Sequence, residues 1–177
     1  MKKHLTTKIV LFVLIVSFVV PAAVYAITSY KSTSDWRLAG SIGGSGKYGW
    51  IRSSVVLSEN ADGTANVIST GESYSSWSSN PRYRESKRAP ITVIGARADV
   101  LYKPVNSDSW QVIDSTGWNY ERASYYPHQA RTRIDVSSLS GEFKTRTYGY
   151  FRNGKNTPLT GKYIDSPAIE YKVYKAF

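Results

Sequence analysis

Ile94-Gly95-Ala96-Arg97-Ala98-Asp99-Val100-Leu101-Tyr102-Lys103 decides the class of fold. Ile94, Ala96, Ala98, Val100 and Tyr102 alternate with Gly95, Arg97, Asp99, Leu101 and Lys103. Successive strand side chains point to opposite faces, so a period of two builds one apolar inward face and one mixed outward face. The predicted strand runs from Ile91 to Lys103. Pro104 ends the ladder, Asn106, Ser107 and Asp108 supply turn chemistry, and Trp110 to Asp114 returns as the partner of a hairpin.

Working outward, the same period recurs. Phe143, Thr145, Thr147, Gly149 and Phe151 alternate with Lys144, Arg146, Tyr148, Tyr150 and Arg152, up to a turn at Asn153-Gly154. Ile51, Ser53, Val55 and Leu57 share one phase, and Trp36, Leu38, Gly40 and Ile42 another. Asn60-Ala61-Asp62-Gly63 reads as a tight turn, after which Ala65 to Thr70 returns with Val67 inward. Thr132, Ile134 and Val136 alternate with Arg131, Arg133 and Asp135, and Ile169, Tyr171 and Val173 with Glu170, Lys172 and Tyr174. No window carries the i, i+3, i+4, i+7 spacing of a helix. The expectation is an all-β chain of about eight short strands. They would form a single antiparallel β-sandwich, immunoglobulin-like or related, or a small barrel. Ser73 to Arg88 reads as a long surface loop, and Asn119 to Gln129 as a loop or one helical turn.

The N-terminus reads as an export address. Lys2, Lys3 and Lys8 precede an apolar run from Ile9 to Phe18, and Val24-Tyr25-Ala26 has small side chains where a signal peptidase reads. Residues 1–26 are therefore expected to be removed between Ala26 and Ile27. The competing reading is a retained anchor, but Ile9 to Val20 falls short of the ~20 residues a membrane-crossing helix needs. Residues 27–177 then form one extracellular domain, long enough to bury a core with neither metal nor disulfide.

The chain has no cysteine, which removes disulfides, thiolate metal sites and cysteine nucleophiles. Cysteine-free export and the lack of any Asn-x-Ser/Thr sequon fit a secreted, cell-wall-associated protein of a Gram-positive bacterium. The formal charge is +10, or +7 without the three lysines of the leader, a surplus that attracts polyanions or serves solubility alone.

Catalytic signals are sparse. His128 is the single histidine beyond the leader and has no carboxylate at ligand spacing, so it reads as a solvent-exposed or hydrogen-bonded loop residue. Asp114 or Asp135 would have to complete a hydrolytic triad with it, and no Gly-x-Ser-x-Gly elbow supports that. The run Gly40 to Gly46 lacks the Lys-Ser/Thr ending of a phosphate loop and reads as a hairpin connection. No cofactor and no metal is expected.

The constellation with chemical content is a basic–aromatic strand face: Lys144, Arg146, Tyr148, Tyr150 and Arg152 at period two. Guanidinium groups interleaved with rings can hold an anionic or sugar-like polymer. The plain alternative is ordinary cross-strand pairing, or protection of an edge. Arg82, Arg84, Lys87 and Arg88, near Trp77 and Tyr83, form a second basic cluster in the Ser73–Arg88 loop. The expectation is a secreted, non-enzymatic binder of an anionic polymer or a carbohydrate of the cell surface or cell wall. Peripheral membrane contact is compatible with that, no specific nucleic acid is expected, and oligomeric state is left open. Its rivals are a bacteriocin-like or membrane-active antagonist and a hydrolase with a carboxylate site.

Overall fold

The computed structural model describes residues 28–122 and 127–173. The leader with its Ala26–Ile27 junction, Tyr125, Tyr126 and Tyr174 lie outside the described residues. Every described element is a strand: β1 Thr28–Thr33, β2 Arg37–Ile42, β3 Lys47–Glu59, β4 Ala65–Ser76, β5 Val93–Pro104, β6 Gln111–Ser115, β7 Asn119–Arg122, β8 His128–Asp135, β9 Gly141–Arg152, β10 Tyr163–Asp165 and β11 Ile169–Tyr171. The all-β class is as expected, in two antiparallel sheets.

The first sheet runs β1-β3-β4-β8, with β2 also on β3. The second runs β10-β9-β5-β6, with β7 on β5 and β11 on β9. β4 occupies one side of β3 along its whole length, so β1 and β2 must share the other. The same holds for β6 and β7 on β5, and for β10 and β11 on β9. Eleven strands thus fill eight positions, four to a sheet, which reconciles the expected number with the observed one. Each broken edge has a local cause. Between β6 and β7 the chain steps out at Thr116-Gly117, where the Thr116 hydroxyl accepts from the Ala98 amide at 3.0 Å. Between β10 and β11, the Ser166 amide donates to the Thr145 carbonyl at 2.9 Å and its hydroxyl accepts from the Thr145 amide at 3.0 Å, before Pro167.

β9 behaves as its alternation demands. Phe143, Thr145, Thr147, Gly149 and Phe151 are buried and the residues between them are partly exposed. The core beneath has two apolar ends. One gathers Val55, Leu57, Val67, Val100, Tyr102, Val136 and Phe143, the other Ile42, Trp50, Ile51, Tyr74, Ile94 and Phe151. Between them lies a waist of small and hydroxylated residues. Thr147 donates to the Ser53 hydroxyl at 3.0 Å, and Ser53 donates onward to the Thr145 carbonyl at 2.6 Å. Thr145 donates to the Ser54 carbonyl at 2.8 Å and shares a hydrogen bond with Ser69 at 2.7 Å. Gly71 sits opposite, where a Cβ would come within 2.9 Å of Thr147 and 3.2 Å of Ala98.

Three expectations need correction. The Trp36–Ile42 phase does not hold, because a bulge between Leu38 and Gly40 inserts Ala39, which is buried while Leu38 is exposed. The supposed loop from Ser73 begins only at Trp77, since β4 continues through Ser76. The loop folds back on that strand: Trp77 N donates to Lys87 O at 2.8 Å, Ala89 N to Ser75 O at 3.0 Å, and the Ser75 hydroxyl also bonds Ala89 O. It buries Trp50, whose indole donates to Ser78 O at 3.1 Å, on what would otherwise be an outward face. Finally, Asn119 to Gln129 supplies β7 and the start of β8, and the first hairpin's return strand is Gln111–Ser115 instead of Trp110–Asp114.

Two substitutions test the waist. Gly71→Val forces side chains between sheets already in contact and should lower the unfolding free energy, read from urea denaturation, by about 1–3 kcal/mol. Thr145→Val keeps the shape but strands buried partners of its hydroxyl, and should cost about 1–3 kcal/mol by the same measurement.

Candidate aromatic and basic face

β9 and β5 are in register from Val93↔Arg152 to Pro104↔Gly141, so their outward residues form rows across the second sheet. Tyr120, Gly95 and Tyr150 make one row, and Arg97, Tyr148 and Tyr163 the next. Arg122, Val93 and Arg152 lie beyond the first of these, while Asp99, Arg146 and Asp165 follow the second. Tyr148, Tyr150, Arg146, Lys144 and Arg152 therefore do share one face, as their spacing demands.

Gly95 shapes this surface. A Cβ there would meet the Tyr120 ring at 2.6 Å, so the absence of a side chain lets Tyr120 lie down on the sheet. Tyr120 stacks on Trp118 (centroids 5.8 Å apart, 12° between planes) and meets Tyr150 edge-on at 5.1 Å, while Trp118 reaches Tyr150 at 6.1 Å. Trp118 and Tyr120 are 37% and 51% exposed, a large apolar area to leave in water. A second pair, Tyr148 and Tyr163, has centroids 5.7 Å apart. Trp110 completes the band under the Lys144 ammonium, 4.2 Å from its ring centroid.

The cations divide into two groups. Arg146 makes a two-point bridge to Asp165 at 2.7 and 3.0 Å, and Lys144 reaches the same carboxylate at 2.8 Å. Arg97 is held likewise by Asp99 at 2.8 and 3.0 Å, with Ser115 donating to that acid at 2.6 Å. Lys103 pairs with Glu142. Arg146 and Arg97 also lie over the rings of Tyr163 and Tyr148, at 4.3 and 5.5 Å. The Asp165 bridges tie the edge strand β10 to β9, the Arg97–Asp99 pair lies within β5, and Lys103–Glu142 joins β5 to β9. Arg122 and Arg152, on either side of Val93, have no ion-pair partner among the described residues. Arg152 even keeps a buried Nε with no hydrogen-bond acceptor.

The loop cluster is elsewhere. Arg82, Arg84, Lys87 and Arg88 sit on the segment that folds over the end of β4 in the first sheet, and the two basic groups do not meet. Arg82 and Lys87 flank the Tyr83 ring at 5.7 Å each, and Arg84 donates to Pro81 O at 2.6 Å. His128, expected in a loop, is a buried residue of β8. Its ring nitrogens lie 3.1 Å from Glu121 Oε2 and 2.9 Å from Asn119 O, tying β7 to β8. Asp114 is engaged by Thr132 and Asp135 by Ser137, so neither acid lies on the imidazole. No group of three metal-ligating side chains occurs among the described residues.

Sequence reasoning missed Trp118 and Tyr120, two of the three clustered rings, and Arg122, one of the two cations there with no ion-pair partner among the described residues. The signal was present in the alternation Tyr120, Arg122 against Asn119, Glu121, but four residues are too few to distinguish a strand from a loop.

Asp165 gives the face a pH dependence. Burial alone would raise its pKa, but the hydrogen bonds and charges of Arg146 and Lys144 outweigh burial and hold it below the usual 3.8. A depressed carboxylate contributes stability that is complete above its unfolded value and is lost as pH falls through the folded one. Asp165→Asn should therefore lower the urea midpoint near neutral pH, and the difference from wild type should shrink as the pH falls below the usual 3.8 and through the lowered value. No protein-family model, no curated protein and no solved structure matches this chain.

Proposed function

We propose that this is a secreted, non-enzymatic β-sandwich protein that binds a carbohydrate polymer of the cell surface or cell wall through the outer face of its second sheet. The observation that carries the reading is the Trp118–Tyr120–Tyr150 cluster beside Arg122 and Arg152. Rings supply contact area at low entropic cost, and their faces suit the C–H surfaces of sugar rings. The two unpaired guanidinium groups suit acidic substituents on such a polymer, because arginine matches carboxylate and phosphate in two-point geometry.

The architecture supports a sandwich in preference to a barrel, because the seam from β7 to β8 is bridged by side chains: Asn119 Nδ2 donates to Gln129 O at 3.1 Å beside the His128 contacts. Its strand order is related to the immunoglobulin arrangement without matching it, since β3 and β4 are neighbours in chain and in sheet. A sheet face with its rings in neighbouring rows is a natural platform for an extended polymer. Among the described residues no helix is long and apolar enough to cross a membrane.

Sedimentation with purified cell walls tests the reading. Tyr120→Ser with Tyr150→Ser should reduce retention by about tenfold or more, the scale of losing aromatic anchors, with an unchanged circular-dichroism spectrum. Arg122→Ser with Arg152→Ser should reduce it at low salt and much less once salt screens exposed charge. Retention that ignores the ring substitutions would overturn the proposal.

A further inference from the structure

The outer face of the first sheet carries a second feature, and it has no share in the aromatic band. Its middle rows consist of short side chains. Ser54 and Thr70 face each other across β3 and β4, with Thr33 of β1 on one flank and Arg131 of β8 on the other. Val56 and Ile68 continue the floor, and Lys31 stands beside Val56. Long side chains on both outer strands and short ones between them leave a hollow of 290 Å³, at the low end of small-ligand sites.

One end of this hollow is built and rigid. Glu72, only 8% exposed, accepts from Arg52 at 2.5 Å through one oxygen and from Gln129 at 2.7 Å through the other. The Arg52 guanidinium lies 4.6 Å from the Trp36 ring centroid, and Trp36 packs edge-on against Tyr74. Both oxygens of the one acid are thus engaged inside the wall. Lys31 and Arg131 have no ion-pair partner among the described residues, and the hydroxyls of Thr33, Ser54 and Thr70 have no hydrogen-bond partner there either. The hollow therefore offers uncompensated positive charge from two opposite sides and free hydroxyl groups from below. Neither an apolar molecule nor a cation suits it.

We propose that this hollow is a binding site for a hydroxyl-bearing oxyanion. Lys31, Arg131 and the exposed edge of Arg52 would hold a carboxylate or phosphate, and the Thr33–Ser54–Thr70 floor the ligand's hydroxyls. An acidic sugar unit and a phosphorylated polyol share this chemistry. The inference does not rest on the aromatic face, which belongs to the other sheet.

Isothermal titration of the full chain with trigalacturonate, glycerol 1-phosphate and neutral maltotriose tests it. At least one of the two anions should bind, maltotriose should not compete with it, and which anion binds identifies the source. Lys31→Ser with Arg131→Ser should weaken binding by about tenfold, the scale of losing two charge-assisted contacts. Arg131→Lys should restore part of the loss. Thr70→Tyr, which fills the hollow without changing charge, should abolish binding even where the double variant folds poorly. Lys155→Ser, in the exposed turn after β9, should leave anion binding unchanged. Binding of neither anion, an equal loss with Lys155→Ser, or indifference to Thr70→Tyr would each overturn the proposal. None of those results bears on wall retention through Tyr120 and Tyr150.

Discussion

The close approach of the two sheets at the waist is the constraint on which the rest depends. Ser53, Ser69 and Gly71 of one sheet face Ala98, Thr145 and Thr147 of the other, and hydroxyl groups reach across directly to carbonyls and to one another. A conventional sandwich spaces its sheets about 10 Å apart with interdigitated apolar side chains. Here the middle admits only small residues, so bulk is pushed to the two ends, where Phe143 and Tyr102 stack on one side and Phe151, Ile51 and Ile94 gather on the other. Buried hydroxyls would be costly if unpaired, but each of these is satisfied across the interface. Satisfied in this way, they also fix the register of one sheet on the other, because hydrogen bonds are directional where apolar contact is not.

That registration is what makes the outer faces precise. β9 runs unbroken from Gly141 to Arg152 beside an equally long β5, and its inward half is locked by the waist, so its outward half is presented without slack. Sliding the strand by one residue would exchange Thr145 and Thr147 for Lys144 and Arg146 in the core. The edges lack such long partners and are held by charge instead. Asp165 on the three-residue β10 clasps Arg146 and Lys144 of β9. Much of the positive charge that stands out in the sequence is therefore internal mortar.

Legibility in the sequence followed strand length. Residues 94–103 and 143–152 were readable because ten residues of strict alternation admit one interpretation, and the turns at Asp62-Gly63 and Asn153-Gly154 were readable from their chemistry. The bulge at Ala39 was not, because one inserted residue flips every later side chain and leaves no trace in composition. The cover over Trp50 was not legible for a different reason: the segment that carries Ser78, 28 residues further along the chain, folds back over it, a tertiary event that local pattern cannot carry. The site was half legible. Tyr148, Tyr150 and Arg152 lay on a long strand, whereas Trp118, Tyr120 and Arg122 lay on a short one, and the pairing of Lys144 and Arg146 with Asp165 required knowing that β10 docks beside β9.

The distribution of charge separates what holds the fold from what is free to meet a partner. A cation that already has a two-point carboxylate partner must give it up before binding another anion, so Arg97 and Arg146 bring little net attraction to the surface they occupy. On the aromatic face this leaves Arg122 and Arg152, and a ligand there must rely chiefly on the rings. In the hollow of the opposite face the one acid of the lining, Glu72, is engaged by Arg52 and Gln129, while Lys31 and Arg131 have no ion-pair partner among the described residues. The same net charge thus has different consequences on the two sides: contact area dominates one, and electrostatic attraction the other. Counting basic residues along the chain could never separate these roles, because the separation is made by which strand lies next to which.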